Sequence, residues 1–97
     1  MLKAMRALAL KSEAAARCAK TRVARERARG RSDAAAWWYA RHVEMLGGRP
    51  EVVETLRGQA EAIAAEEEAR GNPERAEARR RVDAWVNAGF ARSPGAR

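Results

Sequence analysis

Apolar residues recur at three- and four-residue intervals along most of the chain, the spacing that turns one face of an α-helix toward a core. No stretch alternates as a strand would. Four helices are predicted. The first spans about Leu2 to Ala28 without glycine or proline, and Gly30 is its natural stop. Met5, Leu8, Ala15, Ala19 and Val23 form its apolar stripe. Ser32 then offers an N-cap, and Asp33 suits the positive end of a helix dipole. The second helix is expected to run from there to about Leu46, ahead of Gly47-Gly48, with Ala35, Trp38, His42, Met45 and Leu46 on its buried face.

Pro50 fits the first position of a third helix, followed by Glu51 and Glu54 in the first turn. Val52, Val53, Leu56, Ala60, Ile63 and Ala64 share one face of that helix, which continues to about Arg70 past a mild weakness at Gly58. Gly71-Asn72-Pro73 reads as a stop and restart, with Asn72 as cap and Pro73 in the first turn. So short a connection makes helices three and four an antiparallel hairpin. Ala78, Val82, Trp85 and Val86 are the core contribution of the fourth helix. It is expected to end near Gly89, with Phe90 folding back as in a Schellman-type cap. The expectation is an all-α fold: a small bundle of about four helices with a long basic N-terminal helix. It forms a single helical domain over residues 1–90, with a disordered tail over 91–97.

Composition thins the core. The 97 residues are 46% hydrophobic, but 24 of those 45 are alanine, which favours helices and brings little apolar area. At roughly 1.5–3 kcal/mol for each large buried side chain, the other 21 barely exceed the cost of ordering the chain. Completion by a protein partner or by homo-oligomerisation is therefore expected.

Charge adds the strongest signal. Residues 1–31 hold ten basic and two acidic side chains, whereas residues 32–97 hold ten basic and eleven acidic. The net charge of +7 thus originates in the first third. Arginine outnumbers lysine 17 to 3. A GC-rich genome accounts for that excess and for the alanine, yet the consequence stands: a permanently charged planar fork suits phosphate and carboxylate. On one continuous helix, Arg6, Arg17, Lys20, Arg27 and Arg31 would line one side, and Lys11, Arg22, Arg25 and Arg29 the other. Such a surface repels itself, and a phosphate backbone relieves the repulsion while releasing counterions. The plainer reading is a solvated face neutralised by acids elsewhere in the fold, with Glu66, Glu67 and Glu68 as candidates.

Trp37-Trp38-Tyr39 places Trp38 on the buried face and Trp37 about 100° away, four residues before Arg41, where a cation–π pair is available. An aromatic beside arginine can stack an unpaired base; the plainer reading packs Trp37 under the first helix or at a subunit interface. Arg79-Arg80-Arg81 fans over about 200° of a helix. It offers a secondary phosphate contact, or a plain solvated face balanced by Glu74, Glu77 and Asp83.

Nothing marks an enzyme. His42, the single histidine, falls on the apolar side with no cysteine or carboxylate cluster at ligand spacing, so no catalytic residue, metal site or cofactor is expected. Cys18 is the single cysteine, read as a small helix-packing residue, and one cysteine cannot form an internal disulfide. No apolar run reaches the ~18–20 residues of a membrane span. Lys3 and Arg6 interrupt the apolar stretch at the start, against a signal peptide. A cytoplasmic site, away from membrane, follows by elimination.

The function expected is that of a non-catalytic, nucleic-acid-associated accessory subunit contacting phosphate backbone without sequence readout. Its nucleic-acid-binding residues would be Lys11, Arg17, Lys20, Arg22, Arg25, Arg27, Arg29, Arg31 and Arg41, with Trp37, Arg79 and Arg80 as further interaction residues. Single-stranded nucleic acid, or RNA, suits this better than sequence-specific duplex DNA. In size, helicity and charge the chain resembles the small helical subunits of CRISPR effector ribonucleoproteins. No motif carries that likeness, and no residue role follows from it. The alternative is a protein-interaction module, such as an inhibitor or regulator of phage or mobile-element type, anchored by the Trp-rich second helix.

Overall fold

The computed structural model describes residues 2–41 and 49–92, apart from the side chains at positions 50 and 90–92. Four α-helices account for nearly all of them: α1 (Leu2–Cys18), α2 (Arg22–Ala40), α3 (Pro50–Ala69) and α4 (Pro73–Arg92). The all-α bundle expected from periodicity is present, and no strand occurs among the described residues. Its principal packing runs α1 on α2, α2 on α4, and α4 on α3. The α1–α2 and α3–α4 pairs are antiparallel hairpins. Where the hairpins meet, α2 and α4 run parallel, since Glu26, Asp33 and Trp38 meet Arg75, Arg79 and Asp83 in that order.

The long N-terminal helix is in fact two helices. Thr21 has extended backbone angles (φ −124°, ψ 156°), and its hydroxyl accepts from the Ala24 amide at 3.1 Å, capping α2. An unbroken helix from Leu2 to Ala28 would be about 40 Å long with one end beyond the core; folding back at residues 19–21 lays both halves against it. The reversal resets the apolar phase. Met5 is buried and Leu8 half-buried as expected, but Ala15 and Val23 are exposed, and so is Cys18, expected as a helix-packing residue.

Gly30 and Ser32 therefore lie inside α2 and end nothing. Gly30 is buried where α2 crosses α4: a Cβ there would overlap the Arg75 carbonyl oxygen and approach the Ala78 Cβ to 2.9 Å. Ser32 is no N-cap, since its hydroxyl donates to the Ala9 carbonyl at 3.2 Å and ties α2 to α1. At its other end α2 stops at Ala40, with Arg41 as C-cap. His42, Glu44, Met45, Leu46, Gly47 and Gly48 lie outside the described residues.

The α3–α4 hairpin matches expectation closely. Gly71 adopts φ +87°, the left-handed conformation glycine tolerates. Its amide donates to the Glu68 carbonyl (3.1 Å), and the Asn72 amide to that of Glu67 (3.0 Å), completing a Schellman motif. Pro73 then opens α4. Helix α4 does not stop at Gly89 but continues through Ala91 and Arg92, so the backbone at Phe90 is helical and forms no Schellman-type cap, and Ala91 and Arg92 belong to the helix and not to a tail; the Phe90 side chain and residues 93–97 lie outside the described residues.

The core is small and alanine-rich: Met5, Ala34, Ala35, Trp38, Ala60, Val82 and Val86, with Leu8, Trp37, Val53 and Leu56 packed on it. Trp38 is its largest fully buried side chain. Its indole donates to the Asp83 carboxylate at 2.7 Å, so the polar end of the ring is satisfied inside the α2–α4 seam. Trp85, expected in the core beside Val86, is 38% exposed.

Candidate nucleic-acid interface

Acidic side chains are few in the α1–α2 hairpin, and two of them pair with arginines of α4. Glu26 meets Arg75 at 2.6 Å with side chains 13% and 20% exposed, and Arg75 also lies 3.8 Å from Glu67. Asp33 meets Arg79 at 3.7 Å. On the far side of α4, Arg80 bridges Glu61 (2.9 Å) and Glu68 (2.8 Å), and the hydrogen bonds it donates to these two acids raise its pKa still further above its ordinary high value. Arg81 pairs with Glu77, Arg57 with Glu54 and Arg70 with Glu66. The acids Glu66, Glu67 and Glu68, expected against the N-terminal basic helix, are thus engaged within the α3–α4 hairpin. Arg79 and Arg80, two expected interaction residues, belong to the fold's own ion pairs.

Cations on α1, its turn and α2 present the opposite picture. Arg17 pairs with Glu13 one turn away (3.3 Å), and Arg22 reaches Glu74 at 4.0 Å. Lys11, Lys20, Arg25, Arg27, Arg29 and Arg31 have no carboxylate partner among the described residues. All six are exposed except Arg31, which is half-buried. Helix α2 has no acid in its first turn, so Arg22 and Arg25 stand against the positive end of its dipole. The two continuous rows of a single rod do not exist, because the turn at residues 19–21 folds them together. Arg17 of α1 faces Arg25 and Arg29 of α2 across one groove, whose acids are Glu13 and Asp33.

On the opposite flank of α2, Arg27, Arg31, Ala34 and Trp38 succeed one another at intervals of four, three and four, one helical row. Ala34 and Trp38 are buried, while the two arginines hold the same row where the bundle opens. The opening is a pocket of about 170 Å³ between α1, α2 and α4. Leu8, Ala78, Val82 and Trp85 give it an apolar floor, and Arg27, Arg31, Arg81 and Glu77 a charged rim. Sequence reasoning placed Trp85 in the core and took Arg81 only as one of the Arg79-Arg80-Arg81 triplet, without joining either to Arg27 and Arg31. The spacing of Arg27 and Arg31 ahead of Ala34 and Trp38 was the available signal.

The aromatic triplet turns inward. Trp38 is buried, Tyr39 is half-buried, and Trp37 packs on the core edge-on to Trp38 with ring centroids 4.9 Å apart. Arg41 covers the Trp37 ring, its guanidinium carbon 3.8 Å from the centroid, and donates to the Trp37 carbonyl at 3.1 Å. The cation–π pair inferred from spacing is present, so one Trp37 face and the Arg41 fork are already engaged with each other.

Among the described residues no three His, Cys, Asp or Glu side chains converge as a metal site would require. None of the described helices is long and apolar enough to cross a membrane. No protein-family model, curated protein or solved structure matches the chain.

Proposed function

We propose that the α1–α2 hairpin binds the phosphate backbone of a single-stranded nucleic acid without reading its sequence, as a non-catalytic accessory subunit of a larger nucleoprotein. One observation carries this reading: the separation of charge into neutralised and unneutralised halves. From Arg57 to Arg81 every arginine has an acidic partner, whereas six cations between Lys11 and Arg31 have none among the described residues. Acids that could have neutralised the hairpin, Glu26 and Asp33, instead bind α4. Unrelieved like charge costs stability. A polyanion removes that cost and gains entropy from released counterions.

The cations lie on both flanks of α2, so a bound backbone must bend around the helix. A single strand bends more cheaply than a duplex. Backbone contacts of this kind position a ligand without specifying it. The reading that makes Trp37, Trp38 and Tyr39 protein anchors draws no support from their half-buried or buried positions.

The test is affinity for single-stranded oligonucleotides of unrelated sequence as a function of salt. Four phosphate contacts give a slope of log K against log salt of about −3. Replacing Arg25 and Arg29 by glutamine is expected to make it shallower by about 1.4 without changing helicity. A slope near zero, or one unmoved by R25Q/R29Q, refutes the proposal.

A further inference from the structure

We propose that the pocket beside Trp85 receives one unpaired base of the single strand, stacked on the indole, with Arg27, Arg31 and Arg81 holding the flanking phosphates. The inference rests on the backbone reading above and names what one flank of α2 takes. Three features set this opening apart from a plain surface groove. Its floor is apolar, formed by Leu8, Val82 and Trp85, and the indole is 38% exposed although Val82 and Ala78, one and two turns before it, are buried. Arginines at its rim occupy the helical row that buries Ala34 and Trp38 further along, where an aliphatic side chain would have closed the bundle. Arg27 and Arg31 have no carboxylate partner among the described residues.

An apolar slot ringed by cations suits a flat, weakly polar ring attached to anions, which describes a nucleotide within a strand. Arg81 shares its charge with Glu77 at 2.9 Å, so Arg27 and Arg31 carry most of the attraction. Stacking engages the π-face that every base has, so it selects little among the bases. The groove holding Arg25 and Arg29 lies on the same helix and continues the cationic path for neighbouring phosphates.

Two ligands of equal charge test this. One is an oligothymidylate of about ten nucleotides, within the range one such surface covers; the other is an abasic strand with the same number of phosphates. Measured by fluorescence anisotropy, the wild-type protein is expected to prefer the base-bearing strand by about fivefold to a hundredfold. W85L should abolish the preference while keeping the salt slope, and W85F should retain part of it. Equal binding of the two strands by the wild-type protein, or an undiminished preference in W85L, overturns the pocket assignment and leaves the backbone reading standing. No binding of either strand overturns both. Tighter binding of polyglutamate of matched charge also overturns the inference, in favour of an acidic protein partner. The comparison of strands needs no variant, and a melting curve for W85L checks its fold.

Discussion

Gly30 and Arg75 meet backbone to backbone: the α-carbon of Gly30 lies so near the Arg75 carbonyl that a Cβ at that position would overlap the oxygen. This contact fixes how closely the two hairpins approach. It explains why a glycine is tolerated inside α2, where it lowers helix propensity by about 1 kcal/mol relative to alanine. Gly30→Ala should therefore destabilise the protein by about 1–2 kcal/mol despite the better propensity, because backbone cannot move aside as a flexible side chain can. Gly58, exposed in α3 with nothing within 4 Å of a Cβ, provides the control. Gly58→Ala should stabilise by about 0.5–1 kcal/mol. Urea melts of the two variants are expected to shift in opposite directions, and a shared direction would contradict the close approach.

That contact also shows why part of the fold was illegible in the sequence. Gly30 looks like a helix stop because its local propensity is poor, but its reason is tertiary and lies 45 residues away in α4. The true break, at Ala19-Lys20-Thr21, contains neither glycine nor proline, and Thr21 resembles any mid-helix threonine until the chain turns. The α3–α4 hairpin was readable because Gly71-Asn72-Pro73 encodes its geometry locally. Side-chain pairing followed the same divide. Trp37 and Arg41 are one turn apart and were foreseeable; Glu26 with Arg75 required knowing that α2 and α4 run parallel.

The Glu26–Arg75 pair is shielded enough to matter. Removing one partner leaves a poorly hydrated charge behind, a loss of about 3–5 kcal/mol for a fully buried pair and about 2–3 kcal/mol at this degree of exposure. Arg75→Met is expected to cost that much, since it strands Glu26 and leaves Glu67 with Asn72 alone. Arg57→Gln, breaking an exposed pair with Glu54, should change stability by less than about 0.5 kcal/mol. Chemical denaturation of R75M, E26Q and the double variant gives the coupling energy; additivity would place this pair with the surface pairs.

Asp83 gives the stability a pH dependence of definite sign. Burial pushes its carboxyl above the ordinary value; the Trp38 indole and then Arg79 pull it back, Glu61 pushes it up, and Arg80 lowers it slightly. A group whose folded pKa is raised favours the folded state when protonated. Its contribution is complete below the unfolded pKa and is lost as pH rises through the folded one. In the window just above the ordinary carboxylate range, Asp83 therefore works against the native state as pH increases. Asp83→Asn should flatten the profile there while retaining an acceptor for the Trp38 indole. Melting temperatures of the two proteins between about pH 4 and pH 7 measure the difference, and parallel curves would exclude Asp83 as its source.

Charge on α2 carries a consequence for the protein without ligand. Arg25 faces Arg29, and Arg27 faces Arg31, one turn apart, and none of the four has a carboxylate partner among the described residues. Like-charge pairs of this spacing cost about 0.2–0.5 kcal/mol each, and Arg25 also opposes the helix dipole. Salt screens exposed charge and leaves the shielded Glu26–Arg75 pair less affected. Raising NaCl from about 0.05 to about 0.5 M should accordingly increase the melting temperature, although most ion-paired folds gain nothing from salt. R25Q/R27Q should melt higher than the wild-type protein at low salt, by a few degrees for about 0.5–1 kcal/mol, and lose the salt effect. Affinity for a single strand should fall in the same variant, since the repulsion removed is what a phosphate backbone would relieve. A variant that melts lower at low salt would mean these arginines are already satisfied within the folded chain, and the hairpin would have no unmet charge to offer a polyanion.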